Sequence, residues 1–134
     1  MIPFRALLGI DLAEIPRIER ALARWGDVFI DRIFREGELR RERKHPAAFA
    51  QHVAGRFAAK EAAMKALGTG WRGLAFREIV IDREASGKPL LRFEGRAERQ
   101  AAELGVASAE LTITHTETTA AAVVLLLCEP PPVI

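Results

Sequence analysis

The stretch GRFAAKEAAMKALGTG, residues 55–70, constrains the fold more than any other part of the chain. It is rich in Ala with Leu and Met, all strong helix formers, and it stops at glycine. The break His45-Pro46 precedes it, and Pro46 suits the first position of a helix, so the pattern predicts one long helix from Pro46 to about Leu67, ended by Gly68 and Gly70. Such a helix reads as part of a core. One residue resists that reading. Glu61 lies among Phe57, Ala58, Ala62, Met64 and Ala66, where an ordinary solvated carboxylate has little room.

The segments around this helix supply a sheet. Phe4 to Ile10 is a short apolar run ending in Asp11, which predicts a buried strand with a carboxylate at its C-terminal tip. A helix follows from Pro16 and is closed by Gly26; Ile15, Ile18, Leu22 and Trp25 share one face and Arg17, Arg20 and Arg24 point elsewhere. Residues 27–44, DVFIDRIF then REGELRRERK, predict a charged helical region with a basic end at Arg40 to Lys44. From Ala75 the period changes. FREIVID and LLRFEG read as two strands around a turn containing Ser86-Gly87, an Ala-rich helix spans roughly Arg96 to Leu104, and ELTITH with AAAVVLLLC forms a second hairpin that leaves His115 at a strand end. The order predicts an α+β fold: a mainly antiparallel sheet packed with one long and several short helices. We expect a single domain over residues 1–128 and a proline-rich tail over 129–134.

Composition excludes several classes. The chain has 134 residues, 49% hydrophobic and 28% charged, which suits one compact domain and not a disordered chain. A formal net charge of +2 is too small for a general nucleic-acid binder, although the Arg clusters provide local basic patches. A nucleic-acid module would also have no use for Asp11 or Glu61, and a purely structural oligomer would leave Glu61 and His115 unexplained. The longest apolar run, AAAVVLLLC, is too short to span a bilayer as a helix. The single Cys128 sits inside that run, reads as a buried small hydrophobe, and is compatible with a reducing cytoplasm.

Glu61 and Lys65 are four residues apart, so a helix places them side by side. Alone they read as an intrahelical ion pair, and Asp11 alone as a turn or capping residue. Together with His115 they form a set of polar groups issuing from mostly apolar elements, able to meet on one ligand. Two carboxylates suit a hard divalent cation such as Mg²⁺, which takes further oxygens from phosphate, and a neighbouring ammonium neutralises remaining phosphate charge. His115 can donate to a phosphate oxygen, and Gly68-Thr69-Gly70 lets backbone N–H groups approach closely. The chain has no GxxxxGK[ST], HExxH or GxGxxG motif.

The stretches GIDLAEIPRIE (residues 9–19), GRFAAKEAAMKALGTG (55–70), SGKPLL (86–91) and TITHTETTAAAVV (112–124) resemble, in order and spacing, the holo-acyl-carrier-protein synthases, the short bacterial-type 4'-phosphopantetheinyl transferases. The resemblance covers nearly the whole chain except the proline-rich tail, with Trp71-Arg72 after Gly70 as a local departure. It implies the phosphopantetheinyl transferase fold. It also implies a reaction in which the phosphopantetheine arm of coenzyme A moves to a serine of acidic apo-acyl carrier protein, with Mg²⁺, for fatty acid or polyketide synthesis. By position, Asp11 and Glu61 match the metal carboxylates and Lys65 the lysine that contacts the diphosphate. Arg56, Gly68, Gly70, Gly87, Lys88, Pro89, Thr114 and His115 fall where the family binds coenzyme A, and Arg17 and Arg24, with Arg20 added, on its carrier-binding helix. A metal-bound water or Glu61 acting through water is the expected base. The resemblance further implies a homotrimer with active sites at subunit interfaces.

Overall fold

The computed structural model describes residues 5–40, 45–69 and 73–130. In chain order these form β1 (Arg5–Glu14), α1 (Ile15–Trp25), α2 (Asp27–Ile33), α3 (Pro46–Leu67), a 3-10 turn (Phe76–Glu78), β2 (Ile79–Arg83), β3 (Pro89–Phe93), α4 (Gly95–Leu104), β4 (Val106–His115) and β5 (Thr119–Cys128). Strands β1, β5 and β4 make one antiparallel sheet in that order, and β2 pairs with β3 as a separate antiparallel hairpin. The α+β class with an antiparallel sheet and one long helix is as the sequence indicates.

The core lies between α3 and one face of the three-stranded sheet. Strand β5 alternates strictly, burying Ala120, Ala122, Val124, Leu126 and Cys128 against the helix side. Alanine is frequent on both partners, at Ala58, Ala59, Ala62 and Ala63 of α3 and Ala120 and Ala122 of β5, so helix and sheet approach closely. Two glycines show how closely. A Cβ on Gly9 of β1 would stand 1.8 Å from the Ala62 carbonyl oxygen, and one on Gly55 of α3 would stand 2.8 Å from Cγ2 of Ile113 in β4. The helix therefore crosses the sheet obliquely, its N-terminal half over β4 and its C-terminal half over β1. It ends where predicted, with Gly68 in the left-handed region at φ 80° and its N–H donating to the Lys65 carbonyl.

Three expectations need correction. Strand β1 does not end at Ile10: Leu12, Ala13 and Glu14 continue the pairing to Ala121, Ala120 and Thr119, so Asp11 is a mid-strand residue opposite Ala122 and not a tip. The helical region after Gly26 stops at Ile33. Residues 36–39 form a turn with Gly37 at φ 87°, because Glu38 is drawn into the interior by a buried lysine; residues 41–44 lie outside the described residues. Phe76–Glu78 is a 3-10 turn and not strand, since the Glu78 carboxylate accepts from the backbone N–H groups of Ala75 and Arg96 and draws α4 against the turn.

The opposite face of the sheet is bare. Leu8, Ile10 and Leu12 point outward from β1 with 68%, 60% and 64% of their surface exposed, beside the outward half-buried Val123 and Leu125 of β5. An apolar patch of this kind on a sheet face is a candidate interaction surface.

Because Gly9 meets backbone, the clash cannot be relieved by a rotamer change. Gly9→Ala is expected to destabilise the fold by about 3 kcal/mol or more, whereas Gly37→Ala, with open space around it, meets only the left-handed backbone strain of about 1–2 kcal/mol. Urea denaturation of the two variants measures the difference.

Candidate active site

The close contact between α3 and β1 places three predicted residues together. Along β1, Gly9, Asp11 and Ala13 face the helix, and Asp11 emerges beside the helical turn Glu61–Lys65. Lys65 Nζ donates to Asp11 Oδ1 at 3.0 Å and to the Ile10 carbonyl oxygen at 3.0 Å. The lysine is exposed while the Asp11 carboxylate is mostly covered. Asp11 Oδ2 is buried and has no donor.

Glu61 explains that oxygen. Its carboxyl is half-buried and meets Asp11 within hydrogen-bonding reach. Two ionised carboxylates are both acceptors, so the contact becomes a hydrogen bond only when Glu61 carries a proton. Burial and then the bond and charge of Asp11 push Glu61 up to about 8, against the opposing pull of Lys65 and Arg17. A positive species between the oxygens, a proton or a cation, relieves the repulsion of two ionised carboxylates. Among the described residues no group of three or more His, Cys, Asp or Glu side chains could hold a metal. The two carboxylates of Asp11 and Glu61 are a donor set that fits a hard cation such as Mg²⁺, which keeps waters and takes oxygens from a phosphate ligand.

A cleft of about 520 Å³ opens beside Glu61, floored by Ile18, Ala21, Phe29 and Phe57, with Arg17 at its rim. Arg17, Arg20 and Arg24 are all exposed on α1, and Arg24 lies over the Trp25 ring at 5.0 Å.

The other predicted residues stand apart. His115 and Thr114 end β4, which is separated from β1 by β5, about 10 Å between the two edge strands. His115 Nδ1 lies 3.0 Å from the Thr116 carbonyl oxygen. Gly87, Lys88 and Pro89 form the tip of the β2–β3 hairpin, and Lys88 Nζ reaches Glu110 Oε2 of β4 at 3.5 Å. Arg56 follows Gly55, the residue that packs on β4. Gly68 caps α3 near Lys65, and Gly70 lies outside the described residues. The structure therefore brings Asp11, Glu61 and Lys65 together beside β1, and leaves His115 and Lys88 on the far, β4 side of the sheet.

Sequence reasoning passed over Lys60 and Glu38. Lys60 is fully buried and its Nζ lies 3.0 Å from Glu38 Oε1; burial lowers the ammonium to about 8, against the attraction of Glu38. The available signal was a lysine set among four buried alanines, but its acid partner is 22 residues away.

A family model described as the 4'-phosphopantetheinyl transferase superfamily matches residues 7–124. The holo-acyl-carrier-protein synthase of Solibacter usitatus is 45% identical over 119 residues, covering 88% of this chain and 94% of that protein. Among solved structures, the holo-acyl-carrier-protein synthase of Neisseria meningitidis is 34% identical with a TM-score of 0.78, covering 90% of this chain and 96% of the other. That of Helicobacter pylori, in complex with coenzyme A, is 29% identical with a TM-score of 0.77, covering 90% and 99%.

A raised carboxyl has a defined effect on stability. The folded chain keeps the Glu61 proton to about pH 8 and the unfolded chain releases it near 4.5, so the folded state binds more protons in that window. The contribution is fully present below 4.5 and is lost as pH rises through 8. In a chelating buffer, unfolding free energy should fall by about 2 kcal/mol across this range after allowing for solvent screening, and Glu61→Gln should remove most of that slope.

Proposed function

This chain belongs to the holo-acyl-carrier-protein synthases of the 4'-phosphopantetheinyl transferase superfamily, and from that premise we propose that it transfers the phosphopantetheine arm of coenzyme A to a serine of an apo-acyl carrier protein. The serine oxygen attacks the β-phosphorus of the coenzyme A diphosphate, and the bond from that phosphorus to the bridging oxygen breaks. The electron pair leaves with adenosine 3',5'-bisphosphate. The holo-carrier then serves fatty acid or polyketide synthesis.

The observation that carries this reading is the Asp11–Glu61 pair, with one buried oxygen lacking a donor and an exposed lysine beside it. Asp11 and Glu61 are the residues that would hold Mg²⁺. When bound, the ion supplies polarisation of the diphosphate and neutralisation of its charge. Lys65, held by Asp11 and the Ile10 carbonyl, keeps an exposed ammonium beside the pair to offset charge on the leaving bisphosphate. Glu61 takes the serine proton through an intervening water. Arg56, Lys88 and His115 bind the adenosine end, with Gly68, Gly70, Gly87, Pro89 and Thr114 allowing its close approach. Catalysis on this account is positioning and charge compensation.

The carrier approaches along α1. Arg17, Arg20 and Arg24 give an acidic partner a row of exposed cations leading to the cleft beside Glu61. An apolar side chain next to the carrier serine fits the floor of Ile18, Ala21, Phe29 and Phe57.

Assembly completes the site. The metal and adenosine halves of the site lie on opposite sheet edges, so the metal half of one copy meets the adenosine half of another if copies pack edge to edge around an axis. The exposed sheet face of Leu8, Ile10 and Leu12, adjoining the β1 edge, provides apolar surface for copies to cluster around an axis, and we propose a closed trimer.

Incubated with coenzyme A, Mg²⁺ and an apo carrier, the chain should add the mass of one phosphopantetheine to the carrier. Glu61→Gln should fold normally and lose turnover by about a hundredfold or more. Near-normal turnover of that variant at saturating Mg²⁺ contradicts the assignment. Ile10→Lys should shift the sedimentation coefficient from trimer towards monomer and reduce transfer in parallel, whereas an unchanged assembly removes the proposed interface.

A further inference from the structure

We propose that Lys60 and Glu38 are a positioning pair that fixes the β2–β3 hairpin over α3 and thereby sets the affinity for coenzyme A; this rests on the reading that the hairpin tip meets the adenosine end. Lys60 adjoins Glu61 in sequence, but one helical step turns it by about 100°, so it points away from β1 and towards β2. There its three donors are all used: Nζ donates to the Ile79 carbonyl oxygen at 2.6 Å, to the Phe76 carbonyl oxygen at 3.0 Å and to Glu38 Oε1 at 3.0 Å. Glu38 in turn accepts from the Arg35 N–H on Oε1 at 2.6 Å and from the Ile81 N–H on Oε2 at 3.0 Å.

The two residues grip one particular edge. Glu78 receives the Glu94 N–H from the β3 side, so by alternation the backbone groups of Ile79 and Ile81 face the other way, where no strand lies among the described residues. Lys60 satisfies the carbonyl of Ile79 and Glu38 the N–H of Ile81. The pair thus does for β2 what a third strand would do, and a two-stranded ribbon by itself is marginal. An apolar pair could fill the space but could bond neither group. Hydrophobic packing would therefore hold α3 against the hairpin without fixing its register.

The tip needs this. The tip also leans on the main sheet, where β3 packs beside β4 and Lys88 Nζ reaches Glu110 at 3.5 Å, but that ion pair is long and exposed, and we place the register control of Gly87, Lys88 and Pro89 at the root of the hairpin. Glu61 is held on the other side of α3 by Asp11 and is outside the direct reach of the pair. A loosened root should then weaken the nucleotide end while sparing the carrier surface on α1.

The test uses Lys60→Met, which keeps the apolar stem, and Glu38→Gln, which keeps an acceptor for Ile81. Both are assayed at a temperature where circular dichroism shows them folded. For Lys60→Met, the KM for coenzyme A and the calorimetric Kd for adenosine 3',5'-bisphosphate should rise about tenfold while the KM for the carrier stays within about twofold, and Glu38→Gln should show the same split at smaller size. A lowered melting temperature with both coenzyme A constants unchanged would show a merely structural pair and overturn the proposal. Should Lys60→Met fail to fold, the same constants in Glu38→Gln decide. If the unaltered chain binds neither coenzyme A nor the bisphosphate, the functional reading fails, a result separate from wild-type binding with unchanged variants.

Discussion

The backbone of α3 rests on β1 without room for a side chain at Gly9, and the chemistry of the molecule follows from that contact. A helix held farther off would leave Asp11 and Glu61 as two separately solvated acids with ordinary affinities for protons. Held this close, they share a partly covered space in which a buried oxygen has no donor and one carboxyl is pushed up to about 8. A positive species between them relieves the repulsion of the two carboxylates. Small residues on both faces, Ala58, Ala59 and Ala62 on the helix and Ala120 and Ala122 on the sheet, are what permit the approach.

Lysines 60 and 65 lie five positions apart on this helix and do opposite things. Lys65 is exposed, with its stem along the sheet edge and its ammonium available to an anion. Lys60 is enclosed, has no free donor and ties two backbone carbonyls of residues 76–79 and the Glu38 carboxylate to the helix. Burying a charged pair is weak evidence of stabilisation, because desolvation offsets much of the attraction. The geometric specificity of five hydrogen bonds converging on two side chains is the better reason for the pair to be there.

Much of this was legible before any coordinates. The Ala-rich run between Pro46 and Gly68 marked the long helix to within a residue at each end, since proline and glycine act locally. The odd polarity of Glu61 stood out against its alanine neighbours, and the structure finds its carboxyl half-buried against Asp11. Tertiary effects were hidden. Periodicity ended the first strand at Ile10 because Asp11 is polar, yet β5 continues to pair with β1 through Glu14. Residues 36–39 read as helical because nothing nearby announces that Glu38 belongs to a lysine 22 residues ahead. The separation of His115 from Asp11 could not be read from spacing at all, because it depends on β5 lying between them.

The central claim is that Asp11 and Glu61 exchange a proton for a metal ion, and calorimetric titration of Mg²⁺ into the coenzyme A-bound chain at pH 7, repeated in buffers of different ionisation enthalpy, tests it most directly. The account predicts release of about one proton per ion bound, and loss of both ion binding and proton release in Asp11→Asn. Binding with no proton released, or undiminished binding in Asp11→Asn, would contradict it.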